Sequence, residues 1–192
     1  MFFDIYQERQ KMAAPLIKYT YEDYKHFEGK WELIEGFPVA MAPSPVINHQ
    51  YLTGMFFSEI NKNLQECDEC LVVVEEDYII NEETILKPDV AMIYNENNKF
   101  ITKAPEIVVE IISSSTARID ENIKFNIYEK EGVKYYILAY LNYLFAKVYK
   151  NENGFKKIGD FETEEITLDL KCKVNINFDT IFKKLRRKNE SS

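Results

Sequence analysis

The chain has 192 residues, of which 46% are hydrophobic and 29% are charged, and it is long enough to form one domain with a sizeable core. Its formal net charge of −8 argues against a protein that binds nucleic acid through bulk positive charge. No apolar run approaches the ~20 residues of a membrane span, and the acid-containing start, MFFDIYQERQ, is not typical of a signal peptide. The sequence therefore predicts a cytoplasmic protein without a membrane partner.

The first half of the chain predicts alternating helices and hairpins. Residues 1–14 show no clear period, and residues 1–19 are expected to form an arm or accessory segment ahead of a single domain over 20–192. Thr20 and Asp23 have the spacing of a capping box, which satisfies free amides at a helix start. The predicted elements, in order, are a helix over 21–27, a hairpin over 31–43 with Pro38 at an edge, a helix over 46–66, and a hairpin of two strands over 70–80 and 85–94.

The second half contains a strand, a helix and a strand in succession. An apolar strand over 106–112 precedes a Ser-rich turn, a helix with isoleucines four apart that Gly132 ends, and a strand over 133–140. This order predicts a crossover between parallel neighbours. Further short strands and a last helix over 178–188 complete an α/β fold, with a central mixed β-sheet flanked by helices and additional β-hairpins.

Glu110 is an acid inside the apolar stretch IVVEII. A strand of this composition is expected to be covered on both faces, where an unpaired charge is very costly. The compensating group is then a metal ion, a cationic side chain or a bound proton. The alternative is an edge strand whose glutamate faces solvent.

Asp89 and Lys124 are the groups that could meet Glu110. Pro88, just before Asp89, has no backbone N–H to donate to a neighbouring strand, which indicates a strand end or a bulge. At such positions the side chains of active-site residues often change direction. If the two strands are neighbours, both carboxylates converge and favour Mg²⁺ or Mn²⁺. Lys124, on the following helix, is suited to assist phosphoryl transfer. Alternatively, Asp89 is a turn acid, and Lys124 pairs with Asp120 on a solvated helix face.

The three cysteines are an odd number, which argues against a disulfide framework. Cys67 and Cys70 form a CxxC motif, but a zinc site needs about four ligands. The chain offers only Cys172, His26 and His49 as distant additions. The simplest interpretation is a pair of half-buried thiols near a helix end, with a functional pair as the alternative.

Five basic residues crowd the C-terminus. Such a run is usually a solvated tail and otherwise a local basic surface. They are Lys183, Lys184, Arg186, Arg187 and Lys188.

Three stretches together resemble the Uma-two family, a bacterial group of predicted endonucleases with the PD-(D/E)XK restriction-endonuclease-like fold. They are WELIEGFPVAMAPSPVINH, LKPDVAMI and PEIVVEIISSSTARIDENIKFNIYEKEGVKYYILAY, within about residues 20–150. The third stretch is the most specific, because an acid in an apolar strand, a Ser/Thr turn, an Asp-xxx-Lys-xxx-Tyr helix and a GVxxY strand follow one another in it.

The resemblance implies a metal-dependent nuclease site. Asp89 and Glu110 would be catalytic and would bind Mg²⁺ or Mn²⁺. Ile112 stands where the wider superfamily has the lysine of its ExK motif. The resemblance implies that the catalytic lysine lies on the following helix instead, where Lys124 matches it. Supporting candidates are Glu32 or Glu35, His49, Asp120 and Tyr128.

The predicted function is hydrolysis of DNA phosphodiester bonds by a Mg²⁺-dependent endonuclease, for which a homodimer would be natural when two strands are cut. One alternative is a noncatalytic nucleic-acid or protein-binding module on the same fold, which the low basicity favours. Another is a metal-dependent hydrolase of a small phosphorylated substrate.

Overall fold

The structure, a computed structural model, describes residues 16–41, 46–113 and 116–190. Most of the arm predicted over 1–19 lies outside the described residues, as do Ser114 and Ser115 of the Ser-rich turn. In the described part of the chain, no helix is long and apolar enough to cross a membrane.

The elements follow the predicted order, with shorter first and second helices. The helices are α1 (Tyr21–Tyr24), α2 (Ile47–Asn61), a π-helical segment (Ile119–Lys124) that continues directly into α3 (Phe125–Glu131), and α4 (Phe178–Glu190). The strands are β1 (Trp31–Ile34), β2 (Phe37–Ala40), β3 (Cys70–Val74), β4 (Tyr78–Asn81), β5 (Thr84–Leu86), β6 (Val90–Tyr94), β7 (Ile107–Ile112), β8 (Tyr135–Tyr140), β9 (Phe145–Asn151), β10 (Phe155–Phe161), β11 (Glu165–Leu168) and β12 (Val174–Asn177). The capping box is present, since Asp23 accepts from the Thr20 amide at 2.8 Å.

The central sheet has six strands in the order β10-β9-β8-β7-β6-β3. β7 and β8 are parallel, with Ile107 opposite Tyr135 and Ile112 opposite Tyr140, whereas the other neighbours are antiparallel. The predicted mixed sheet and its parallel crossover are therefore confirmed. β11 and β12 form the separate C-terminal hairpin.

The prediction of two continuous strands over 70–80 and 85–94 was wrong, because the long hairpin breaks in its middle. β3 pairs with β6 in the central sheet, and β4 pairs with β5 in a second sheet of order β2-β1-β5-β4. Pro88 cannot donate to a ladder, and Glu75 has a φ of 50°, so regular pairing stops at both positions. The break opens the sheet next to Asp89.

Both faces of the central sheet are covered. Val109 and Ile111 of β7 pack in a core with α2 and α4, while Val108 and Ile112 pack in a second core with Tyr128 of α3 and parts of the second sheet. Every residue of β7 is buried. The alternative of an exposed edge strand for Glu110 is thereby excluded.

The prediction that Cys67 and Cys70 are both free thiols, with no disulfide, was wrong for Cys67. Cys172, in the connection between β11 and β12, is bonded to Cys67, and Cys70 Sγ lies 3.3 Å from Cys172 Sγ. A partner 105 residues away is set by the packing of the C-terminal hairpin and not by local spacing.

Candidate active site

Asp89 and Glu110 are brought together by neighbouring antiparallel strands. Val90 lies opposite Val109, so the residues just beyond this pair meet where the β6 ladder ends. The Asp89 Oδ2 atom accepts from the Ile111 amide at 2.7 Å and replaces the missing ladder acceptor. The Asp89 amide in turn points at Glu110 Oε2, 3.5 Å away. The two acids thus share one end of the β6/β7 pair.

Glu110 is held from the helix side through one oxygen. Its Oε1 atom accepts from the Lys124 ammonium at 3.0 Å and from the Tyr128 hydroxyl at 2.9 Å. Both donors lie on the π-helical segment and α3, which cover this face of the sheet. Because these contacts use Oε1, Oε2 stays on the side of Asp89.

Lys124 is a buried cation among three carboxyl groups. Its Nζ atom lies 2.7 Å from Glu32 Oε1, 3.0 Å from Glu110 Oε1 and 3.4 Å from Asp120 Oδ1. Glu32 Oε1 also accepts from the Lys87 amide at 2.8 Å, which fixes the strand β1 against the chain just before Asp89. Lys124 is only 3% exposed, so its ammonium is held in place by ionic contacts inside the fold.

The π-helical segment explains how these polar groups are buried. A π-bulge interrupts the regular period of a helix and is often found at functional sites. Asp120, Lys124 and Tyr128 all point inward, whereas Ile123 of the predicted apolar face is 42% exposed. The alternative of a solvated Asp120–Lys124 pair is therefore wrong, because the polar face is the one that covers the sheet.

Burial controls the protonation of the cluster. It raises the pKa of Glu110 well above its ordinary range, although the Lys124 charge opposes the shift. Burial also raises the pKa of Glu32 and of Asp120. For Lys124, burial lowers the pKa, but the three surrounding carboxylates outweigh it and the pKa is raised well above its usual range. Lys124 therefore remains an ammonium at neutral pH, and the surplus carboxyl groups need a proton or a further cation.

His49, near the start of α2, faces the acid pair from the other side. Its Nε2 atom lies 3.4 Å from Asp89 Oδ2. Burial lowers the pKa of His49, but the contact with the Asp89 carboxylate outweighs burial and the net shift is upward. Its buried Nδ1 atom has no hydrogen-bond partner among the residues described. The Nε2–H group of His49 can therefore donate a hydrogen bond to the Asp89 carboxylate.

These side chains surround one cavity of about 330 Å³. Its lining includes Glu32, His49, Asp89, Glu110, Asp120 and Lys124. Tyr128 supports the cavity from behind through Glu110.

Of the two candidates near the N-terminus, the structure places Glu32 in the cavity and leaves Glu35 outside it. Glu32 lies inside strand β1, where it is 3% exposed. Glu35 is exposed in the following turn with a φ of 51°. Both acids fit the motif ELI(D/E)G, so only the pairing of β1 with β5 distinguishes them.

Glu75 and Lys30 also line the cavity, and reasoning from the sequence missed them. Their side chains form an ion pair with each other. Glu75 follows the last residue of β3, Val74, which lies opposite Val90. The sequence signal that could have identified Glu75 is its position directly after β3, the strand that pairs with the strand following Asp89.

The raised pKa of Glu110 predicts how stability depends on pH in metal-free protein. A carboxyl group with a raised folded-state pKa stabilises the fold fully below its ordinary pKa, and this contribution is lost as pH rises through the raised value. Relative to wild type, Glu110→Gln should therefore gain stability as pH rises from about 4 to about 8. Urea unfolding in chelator at several pH values measures this difference. A difference that does not change with pH would contradict the assignment.

The donor set fits a hard divalent ion. Mg²⁺ in proteins is usually held by one or two carboxylates and keeps several water molecules. Asp89 and Glu110 supply two such carboxylates beside a cavity with room for water, and the neighbouring acids leave the cluster short of positive charge. No cysteine lines the part of the cavity that the structure describes, and His49 is its one imidazole, so the lining favours an oxygen-ligated ion over zinc.

A family model described as "Uma2: Putative restriction endonuclease" matches residues 20–170. The chain belongs to the Uma2 family. Among solved structures, the crystal structure of "a putative nuclease belonging to DUF820" from Anabaena variabilis matches with a TM-score of 0.67 and 16% identity, covering 85% of this chain and 97% of that chain. At this identity the likeness shows the fold alone. No curated protein matches the chain.

Family and fold together identify a restriction-endonuclease-like protein of the Uma2 family and indicate a nuclease. The predicted fold class is thereby confirmed. In this Uma2 chain, Ile112 is 5% exposed and packs in the core, so the position of the usual ExK lysine is apolar. Lys124 reaches Glu110 from the helix instead.

Proposed function

We propose that this Uma2 protein is a divalent-metal-dependent endonuclease that hydrolyses DNA phosphodiester bonds. The observation that supports the proposal is the buried pair of Asp89, just before strand β6, and Glu110 on the adjacent strand β7, with the Lys124 ammonium 3.0 Å from Glu110. Two carboxylates and a fixed cation in one cavity provide metal ligation and charge neutralisation side by side. This combination suits phosphoryl transfer better than acyl or hydride transfer.

Asp89 and Glu110 would hold Mg²⁺ or Mn²⁺. When bound, such an ion polarises a phosphate oxygen and lowers the pKa of a coordinated water. Glu110 Oε1 is already engaged by Lys124 and Tyr128, so Oε2 would be the oxygen available to such an ion. His49 fixes the opposite carboxylate through Asp89 Oδ2.

Lys124 acts as a fixed positive charge and not as a general base. Its three carboxylate contacts keep the ammonium protonated at neutral pH. It would therefore orient a phosphate oxygen or neutralise charge that develops on it. Glu32 and Asp120 position Lys124, because each contacts the same ammonium from a different element.

The negative net charge of the protein limits its long-range electrostatic attraction to DNA. With a net charge of −8, long-range attraction to DNA is weak, so we expect binding to depend on the metal and on local contacts. Two copies in a homodimer would supply one site for each strand of a duplex.

A combined metal and substrate test distinguishes the candidate functions. Calorimetric titration of Mn²⁺ into wild-type protein should show binding that chelator reverses, and the same protein should then cleave plasmid DNA. Cleavage of nucleotide analogues without cleavage of polymers would identify a hydrolase of small phosphorylated substrates instead. Metal binding or DNA binding without cleavage of plasmid, single-stranded DNA or RNA would identify a noncatalytic module.

A further inference from the structure

The three cysteines form a cluster at the far end of the β3/β6 pair from the acid cavity. Cys70 begins β3 and lies opposite Tyr94, whereas Val74 at the other end of β3 lies opposite Val90, next to Asp89. The two ends of this five-residue strand are four residue steps, or about 13 Å, apart. The cysteine cluster is therefore a separate feature that the proposed nuclease chemistry does not use.

We propose that Cys67, Cys70 and Cys172, in their reduced form, are a binding site for a thiophilic divalent metal ion of the Zn²⁺ type. Their ligand atoms all lie within 4.8 Å of one another. Cys70 Sγ is 3.0 Å from Cys67 Sγ and 3.3 Å from Cys172 Sγ. Sulfur atoms around a tetrahedral zinc ion are about 3.7 Å apart, a spacing that small side-chain rotations would reach.

The backbone holds the first two ligands in a turn. The Cys70 amide donates to the Cys67 carbonyl at 3.2 Å, and the Cys67 amide donates to the Leu64 carbonyl at 3.0 Å. Such a turn lets both side chains of a CxxC motif point to the same ion. The motif therefore contributes two preorganised ligands.

The third ligand is brought in by the C-terminal hairpin. The Asn63 side chain, just after α2, donates to the Asn175 carbonyl at 3.1 Å and accepts from the Asn175 amide at 3.1 Å. This pair fixes β12 beside the segment that leads to Cys67, and Cys172 lies shortly before β12. Cys172 thus meets the CxxC turn because the hairpin is docked, and metal binding would reinforce that docking.

The donor set selects the metal. Three thiolates favour zinc and other soft ions over Mg²⁺, which prefers oxygen. Within the described residues, no fourth cysteine, histidine or carboxylate completes the group, so water or an added ligand would take the remaining position. Structural zinc sites usually have four protein ligands, and an open fourth position makes this one accessible to exogenous ligands.

The bond between Cys67 and Cys172 is the oxidised form of the same cluster. Burial, with Glu106 and Glu69 nearby, raises the pKa of the Cys70 thiol, which makes it a poor nucleophile toward that bond. A trialkylphosphine would reduce the bond with two electrons, giving two thiols and, with the oxygen of water, the phosphine oxide. Zinc would then bind the three thiols and displace up to three protons.

The test uses the full chain in phosphine, with Zn²⁺ titrated against a chromophoric chelator and Co²⁺ as the optical probe. We expect one thiolate-bound ion per chain in addition to any ion held at the acid cavity, a thiolate-to-cobalt charge-transfer absorption, and a higher melting temperature with zinc. Cys70→Ser should weaken zinc affinity at least about 100-fold while leaving Cys67 and Cys172 able to bond. The Asp89→Asn/Glu110→Gln variant is the matched control and should keep the cobalt spectrum.

Three results would overturn the proposal. The first is a reduced wild-type protein without a thiolate-to-cobalt absorption, and the second is an absorption that persists unchanged in both Cys70→Ser and Cys172→Ser. The third is a melting temperature that zinc leaves unchanged together with a Cys70→Ser variant that behaves as wild type, in which case the cluster serves only as a disulfide. Because none of these readouts involves DNA cleavage, failure of the nuclease proposal leaves this test intact.

Discussion

Glu110→Gln is expected to reduce Mg²⁺-dependent DNA cleavage by about 10²-fold to 10³-fold, because several kcal/mol of metal-derived stabilisation would be lost. Asp89→Asn should have an effect of similar size. The amide oxygen of the substituted side chain can still accept from Tyr128, which donates at 2.9 Å to Glu110 in the wild-type protein, so the Glu110→Gln variant should stay folded. Conversion of supercoiled plasmid to nicked and linear forms, with and without chelator, measures the effect.

The matched control for this experiment is Glu35→Gln. It removes an acid from the turn between β1 and β2, where Glu35 is exposed and lies outside the cavity. Its cleavage rate should equal that of wild type. Unchanged cleavage and unchanged Mn²⁺ binding in both Asp89→Asn and Glu110→Gln would show that the metal site has been assigned to the wrong residues.

Lys124→Met is expected to destabilise the metal-free protein by about 3–5 kcal/mol at neutral pH, because it leaves buried carboxyl groups without their cation. Glu32, Glu110 and Asp120 all contact the lysine that would be lost. The loss should shrink at low pH, since protonated carboxyl groups no longer need a counter-charge. Urea unfolding at about pH 5 and about pH 8 provides the comparison.

Two further variants keep this test informative. Lys130→Met removes a lysine from the surface of α3 and should change stability by no more than about 0.5 kcal/mol. Adding Glu32→Gln to Lys124→Met should recover part of the lost stability, because one uncompensated carboxyl group is removed with the cation. Equal losses for Lys124→Met and Lys130→Met would mean that Lys124 carries no structural charge pairing.

The choice between Glu32 and Glu35 shows where local sequence information ends. Both acids stand in the same short motif, three positions apart. Only the pairing of β1 with β5, which includes Leu33 opposite Ile85, decides that Glu32 points into the cavity. That pairing joins residues far apart in sequence, so no local pattern contains it.

The helix after β7 is a second case in which the local sequence does not determine which side chains are buried. Isoleucines four apart indicate an apolar face, and Asp120 and Lys124, also four apart, indicate a solvated one. The fold buries the polar face because Glu110 lies beneath it and needs Lys124 and Tyr128 as donors. The face that a helix buries depends on the surface that receives it, and that surface comes from another part of the chain.

By itself, the sequence determined the order of elements, the parallel crossover and the unusual position of Glu110 within an apolar strand. These features depend on periodicity and turn chemistry, which act over a few residues. The tertiary structure decided the break beside Asp89, the burial of Lys124 among three acids and the meeting of Cys172 with the CxxC turn. Each of these requires contacts between distant segments, whose energies are set only when the sheets and helices have packed.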